Sequence, residues 1–143
     1  MFDSILVVCV GNICRSPMGE RLLLKHLPNK RIESAGISAV VGNPADKVAT
    51  SVALEHDLSL EGHCGRQLTS SMCREFELIL VMEQSHIDSV CQIAPEVRGK
   101  TMLFGHWLDK QDISDPYRKS REIFEAVYQL IDRSASLWAK ALI

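Results

Sequence analysis

The chain's 143 residues are 46% hydrophobic and 24% charged, which fits one soluble domain, 1–143, with a substantial core. Its 16 basic residues against 18 acidic ones leave a net charge of −2, a balance that points to neither nucleic acid nor an anionic membrane as a partner. No basic stretch opens the chain, and the apolar run Ile5–Val10 is too short for a signal core or a membrane span. A cytoplasmic location without membrane insertion is therefore expected, with the five cysteines as thiols.

Residues 4–10 form a β-branched run without alternation, the pattern of a strand buried on both faces. Ser16 and Pro17 read as the N-cap and first residue of a helix that continues through Leu22, Leu23 and Leu27 and stops at Pro28-Asn29. A short strand is expected near 31–34, closed by Ala35-Gly36. After the loop 37–42, a second helix starts at Asn43-Pro44 and buries Val48, Ala49, Val52 and Ala53. Thr69 caps a short helix through Met72 and Phe76, and Leu78–Met82 is a third buried strand. Helix signals resume at Ser85 and run to Pro95, and Thr101–Phe104 is a fourth, weaker strand. Ser120 to Leu142 is the clearest helix, with Ile123, Val127, Leu130, Ser134, Leu137 and Ala141 at three- and four-residue intervals and Phe124, Ile131 and Trp138 beside them. Strands alternating with helices predict an α/β fold, a parallel sheet with helices on both faces. In such folds ligands bind beyond the carboxyl ends of the strands, where the winding reverses, and Cys9 ends the first strand.

The segment from Cys9 through Val10, Gly11, Asn12, Ile13, Cys14, Arg15 and Ser16 to Pro17 carries the chemistry. A strand here delivers a thiol to a tight loop that ends on a helix N-terminus, where free N–H groups and the helix dipole attract a dianion. Gly11 and Asn12 are the residues able to take left-handed conformations. Arg15 offers a planar fork for two phosphate oxygens. The donors around Cys9 favour its thiolate, and the Ser16 hydroxyl is placed to hydrogen-bond it. A buried strand cysteine is ordinarily inert, and the Cys9–Arg15 pair alone would not decide the matter. The whole string at a strand-to-helix junction does. It lacks the Gly-Lys-Ser/Thr ending of a nucleotide-binding loop.

With Cys9, five residues, Arg15 and Ser16, then Ser34-Ala35-Gly36 and Asp115-Pro116-Tyr117, nearly the whole chain resembles the low-molecular-weight protein tyrosine phosphatases. It is most similar to the bacterial branch associated with exopolysaccharide and capsule production. The resemblance implies a flavodoxin-like three-layer sandwich whose four-stranded parallel sheet has the order 2-1-3-4. It also implies Cys9 as nucleophile, Arg15 holding the phosphate and Asp115 as general acid and base, with no cofactor and no metal. By the same resemblance Asn12, Ser34 and His63 form a network that shapes the loop, and Tyr117 lines the cleft. Eukaryotic members carry an aromatic where this chain has Arg118, and often another where it reads Ser38-Ala39-Val40-Val41. An aliphatic cleft wall with Val40 against the substrate is thus expected. Cys14 is either a reversible disulfide partner of Cys9 or a small packing residue. The implied partner is a phosphotyrosine protein, a tyrosine autokinase above all, and the chain is expected to be a monomer or weak oligomer.

An arsenate reductase shares this fold and loop but relays electrons through closely spaced cysteines, whereas Cys64, Cys73 and Cys91 are far apart. A phosphotyrosine-binding module without turnover would not need nucleophile, arginine and acid together. A zinc site finds no closely spaced ligand pair.

Overall fold

The computed structural model describes residues 2–143. The chain forms β1 (Ser4–Cys9), α1 (Arg15–His26), β2 (Arg31–Gly36), α2 (Lys47–Glu55), α3 (Ser70–Glu75), β3 (Leu78–Val81), α4 (Gln84–Ile93), a 3-10 turn at Pro95–Lys100, β4 (Thr101–Leu103) and α5 (Arg121–Ala141). The four strands pair in parallel in the order β2-β1-β3-β4, the expected flavodoxin-like arrangement. Ile5, Val7 and Cys9 pack on one face with α1, α2 and α5, and Leu6 and Val8 pack on the other with Cys73 of α3 and Val90 of α4. Both faces of β1 are therefore dry, which is why its sequence shows no polar alternation. The chain leaves β1 for β2 on one side and then crosses to β3 on the other. The carboxyl ends of β1 and β3 thus become the crevice where the winding reverses.

Local chemistry sets the helix starts. Asp46 Oδ2 accepts from the N–H groups of Val48 and Ala49 at 3.0 and 3.1 Å, so α2 begins at Lys47 rather than at Asn43-Pro44. Thr69 caps α3 as expected, and Ser120, expected as the start of the last helix, is the N-cap of α5. Ser16 does not cap α1: the helix begins at Arg15, two residues before the expected Pro17, while the Ser16 hydroxyl meets Cys9 as expected. The face of α5 also differs from expectation. Phe124, Val127, Tyr128, Ile131, Ser134, Ala135 and Trp138 are buried while Ile123 is exposed, because the heavier aromatic edge of the stripe turns to the core.

Ser134 Oγ is the one buried side-chain polar atom without a hydrogen-bond partner among the described residues. Removing an unsatisfied hydroxyl and gaining alanine's helix propensity act in the same direction. Ser134→Ala is expected to stabilise the fold by about 1 kcal/mol, read as a rise of a few degrees in the calorimetric midpoint. A lower midpoint would mean that the hydroxyl does useful packing.

Candidate active site

The loop after β1 is built by its carbonyls. Cys9 O accepts from the Ile37 N–H at 2.9 Å, Val10 O from Ser38 at 3.0 Å, Gly11 O from Val40 at 3.0 Å and Ile13 O from Asp46 at 2.8 Å. Asn12 O accepts from His63 Nε2 at 2.5 Å, which fixes the proton of that imidazole on Nε2. In a planar trans peptide the N–H points opposite to the C=O. Five outward carbonyls therefore turn the N–H groups of residues 10–14 to the concave side, making an anion nest over the Cys9 sulfur. The Asn12 N–H, directed at Cys9 Sγ across 3.3 Å, shows this orientation. The first turn of α1 adds the positive end of its dipole.

Asn12, not Gly11, is the loop residue in the left-handed region, with φ 60°. Asparagine tolerates that conformation, and here every polar group it has is used. Its Nδ2 donates to Ser16 Oγ at 2.8 Å and Ser34 Oγ at 3.1 Å, while its Oδ1 accepts from the Arg66 N–H at 2.9 Å. Because the Ser16 oxygen already accepts from Asn12, its own proton is free for Cys9 Sγ, 2.9 Å away. The network of Asn12, Ser34 and His63 is thus present, with Arg66 as a member that sequence reading missed. Arg66 Nε also bonds Ser34 O at 2.9 Å, and its Nη2 pairs with Glu33 at 2.5 Å. Gly36 completes the back wall: a Cβ there would lie 2.5 Å from Val10 O. Asn12→Ala would break three side-chain bonds and strand alanine at positive φ. Its expected cost is on the order of 3 kcal/mol with a matching loss in kcat/KM. Unchanged thermal unfolding and turnover would contradict this reading of the loop.

Arg15 is 1% exposed, and burying a cation demands compensation. Its Nη1 donates to Glu83 Oε2 at 2.5 Å and to Ile113 O at 2.7 Å, which leaves the Nε–Nη2 edge of the fork without these ties. Glu83 was not visible as a site residue in the sequence. Its only signal was its place just beyond β3, at the crevice where the winding reverses. Glu83 is held in turn by His86, whose Nδ1 accepts the Glu83 N–H at 3.3 Å. Burial, then the charge of Arg15, pull the His86 pKa below its ordinary value, so a neutral imidazole sits there.

Asp115 stands on the long connection before α5, with Oδ2 3.8 Å from Arg15 Nη2. The segment is anchored close by: Asp112 Oδ1 accepts from the Gln84 N–H at 2.9 Å, and the Ile113 N–H donates to Met82 O at 2.8 Å. Asp115 Oδ1 accepts from the Tyr117 N–H at 3.0 Å, a turn that sets carboxylate and phenol side by side. Cys9, Val10, Gly11, Ile13, Cys14, Arg15, Asp115 and Tyr117 all line one cleft of about 220 Å³, with Ser38 and Val40 opposite. That volume is below the range of cavities that enclose a whole drug-sized ligand, so the cleft suits a small group at the end of a larger molecule. Val40 and Tyr117 are 40% and 44% exposed and form its apolar mouth. Asn12, Ser16, Ser34 and His63 support the loop from behind. Cys14 is buried, and that burial, with Asp46 and Cys9 nearby, pushes its thiol far up, so it stays protonated at neutral pH.

The family model for the low molecular weight phosphotyrosine protein phosphatase matches residues 4–143. The protein tyrosine phosphatase Wzb of Escherichia coli K12 is 61% identical over 142 residues, covering 99% of this chain and 97% of its own. The crystal structure of Wzb from Escherichia coli K30 in complex with sulphate superposes with a TM-score of 0.98 at 56% identity, covering 100% of both chains. Vibrio vulnificus Wzb in complex with benzylphosphonate gives 0.97 at 56% identity, covering 99% of each.

Proposed function

We propose that this chain, which belongs to the low molecular weight phosphotyrosine protein phosphatase family, hydrolyses protein phosphotyrosine through a cysteinyl-phosphate intermediate. The observation that carries the reading is the amide nest closed by outward carbonyls over Cys9 Sγ, with Arg15 pinned at its edge. A dianion in that nest presents its phosphorus to the sulfur.

In the first step the Cys9 thiolate attacks phosphorus and the P–O bond to the tyrosyl ring breaks. The electron pair goes to the phenolic oxygen, which takes the Asp115 proton. In the second step water attacks phosphorus, its proton passes to the Asp115 carboxylate, and the P–S bond breaks. The departing thiolate is received by the Ser16 hydroxyl and the Asn12 N–H. The loop amides and Arg15 hold the equatorial oxygens in both steps. The aryl ring lies between Val40 and Tyr117. Every group in this route is a side chain or amide of the chain itself.

The physiological substrate proposed is a tyrosine autokinase or another protein of exopolysaccharide or capsule production, met in the cytoplasm by a monomeric or weakly associating enzyme. The similarity to the Wzb phosphatases supports it. Among the described residues, no helix is long and apolar enough to cross a membrane. Cys9→Ser protein immobilised as bait tests the substrate: it should retain phosphotyrosine proteins from lysate and release them to vanadate. Recovery of only unphosphorylated proteins would sink the assignment.

A further inference from the structure

The turn that carries Asp115 also carries two cations the reaction does not use. Arg118 and Lys119 are exposed, and among the described residues neither meets a carboxylate. Most other surface arginines do: Arg21, Arg31, Arg66, Arg74, Arg98 and Arg121 each face an acidic side chain. Arg118 is also held in place. Its Cζ lies 5.3 Å from the centroid of the Tyr117 ring, the ring that lines the cleft mouth. The Lys119 N–H donates to Pro116 O at 2.9 Å and closes the turn, with the proline ring buried beneath. Arg118 adopts φ 63°, a conformation that favours glycine or asparagine, so a bulky arginine sits where the backbone gains nothing from it.

We infer that Arg118 and Lys119 form a recognition rim for an acidic side chain next to the phosphotyrosine of a polypeptide substrate. The inference rests on the phosphotyrosine reading above. A phosphotyrosyl ring seated between Val40 and Tyr117 with its phosphorus over Cys9 would leave the substrate backbone at the cleft mouth beside Tyr117, the ring over which Arg118 lies. The rim adjoins the cleft through Tyr117, is positive, and meets no carboxylate among the described residues, so the complementary occupant is an anion on the flanking peptide. Exposed pairs of this kind are weak individually. Two cations should favour an acidic flank by about two- to five-fold in kcat/KM, mostly through KM, and salt should erode the preference.

The test uses the full chain and two phosphotyrosyl peptides that differ only in Glu against Gln on either side of the phosphotyrosine. The unaltered enzyme should prefer the Glu peptide at low salt and lose the preference at high salt. In Arg118→Gln/Lys119→Gln the ratio of the two kcat/KM values should fall to about one, and Arg118→Glu/Lys119→Glu should reverse it in favour of the Gln peptide. Taking ratios cancels any change in turnover from a shifted Tyr117. Equal use of both peptides by the unaltered enzyme, or a preference that survives the double substitution, would overturn the rim while leaving the phosphatase reading intact. If neither peptide is hydrolysed, the phosphotyrosine reading fails and the rim with it.

Discussion

Replacing Cys9 with serine should remove turnover of an aryl phosphate altogether, a loss of roughly 10⁵-fold or more. The substitution changes one atom and little else. A serine Oγ can keep its place under the nest and its contact with Ser16, 2.9 Å from the present sulfur, so the fold and the anion site are expected to survive. What is lost is the nucleophile: a serine hydroxyl is a far weaker attacking group than a cysteine sulfur at the same place. Phosphate release measured against the unaltered chain, together with thermal unfolding, separates the two effects. Retained activity would remove Cys9 from the mechanism.

Asp115→Asn should produce the second largest effect, and one that depends on the leaving group. Asparagine keeps an oxygen for the Tyr117 N–H and so preserves the turn, but it cannot give or take a proton. Loss of general acid catalysis should slow a tyrosyl phosphate by about 10²–10⁴-fold. An aryl phosphate whose phenol leaves readily as an anion needs no proton, so its first step should slow far less. Equal slowing of good and poor leaving groups would mean that Asp115 acts on Arg15, 3.8 Å away, rather than on the phenol.

The parts of this site that were readable in the sequence are those made by neighbours along the chain. Ile5 to Cys9 must be a doubly buried strand because no residue in it accepts water, and the thiol, the loop and the helix start follow within a few positions. Asp115 was readable only through family resemblance, since an Asp-Pro turn a hundred residues away carries no chemical signal of its own. Glu83 was not readable as a partner of Arg15, its place beyond the third strand being its only signal. Its pairing with Arg15 exists only because β3 docks beside β1, and an acid following an apolar run is ordinary N-cap chemistry. Ser16 was read two ways: its hydroxyl meets Cys9 as expected, but it is not the N-cap of α1, a place that falls to Cys14. Of the two loop residues able to take positive φ, Gly11 and Asn12, it is Asn12 that does, and the bonds of its side chain, invisible in the sequence, hold it there. In α5 both sides of the stripe are apolar, so periodicity gave the helix but not which edge faces inward.

The central claim is phosphoryl transfer to Cys9. Asp115→Asn with a good-leaving-group aryl phosphate tests it most directly, because the first step then runs without its acid while the second lacks its base. Rapid quenching should catch a burst of phenol about equal to the enzyme present, with phosphorus on the peptide that contains Cys9. Phenol and phosphate released together without a burst, and no phosphorus on that peptide, would contradict it.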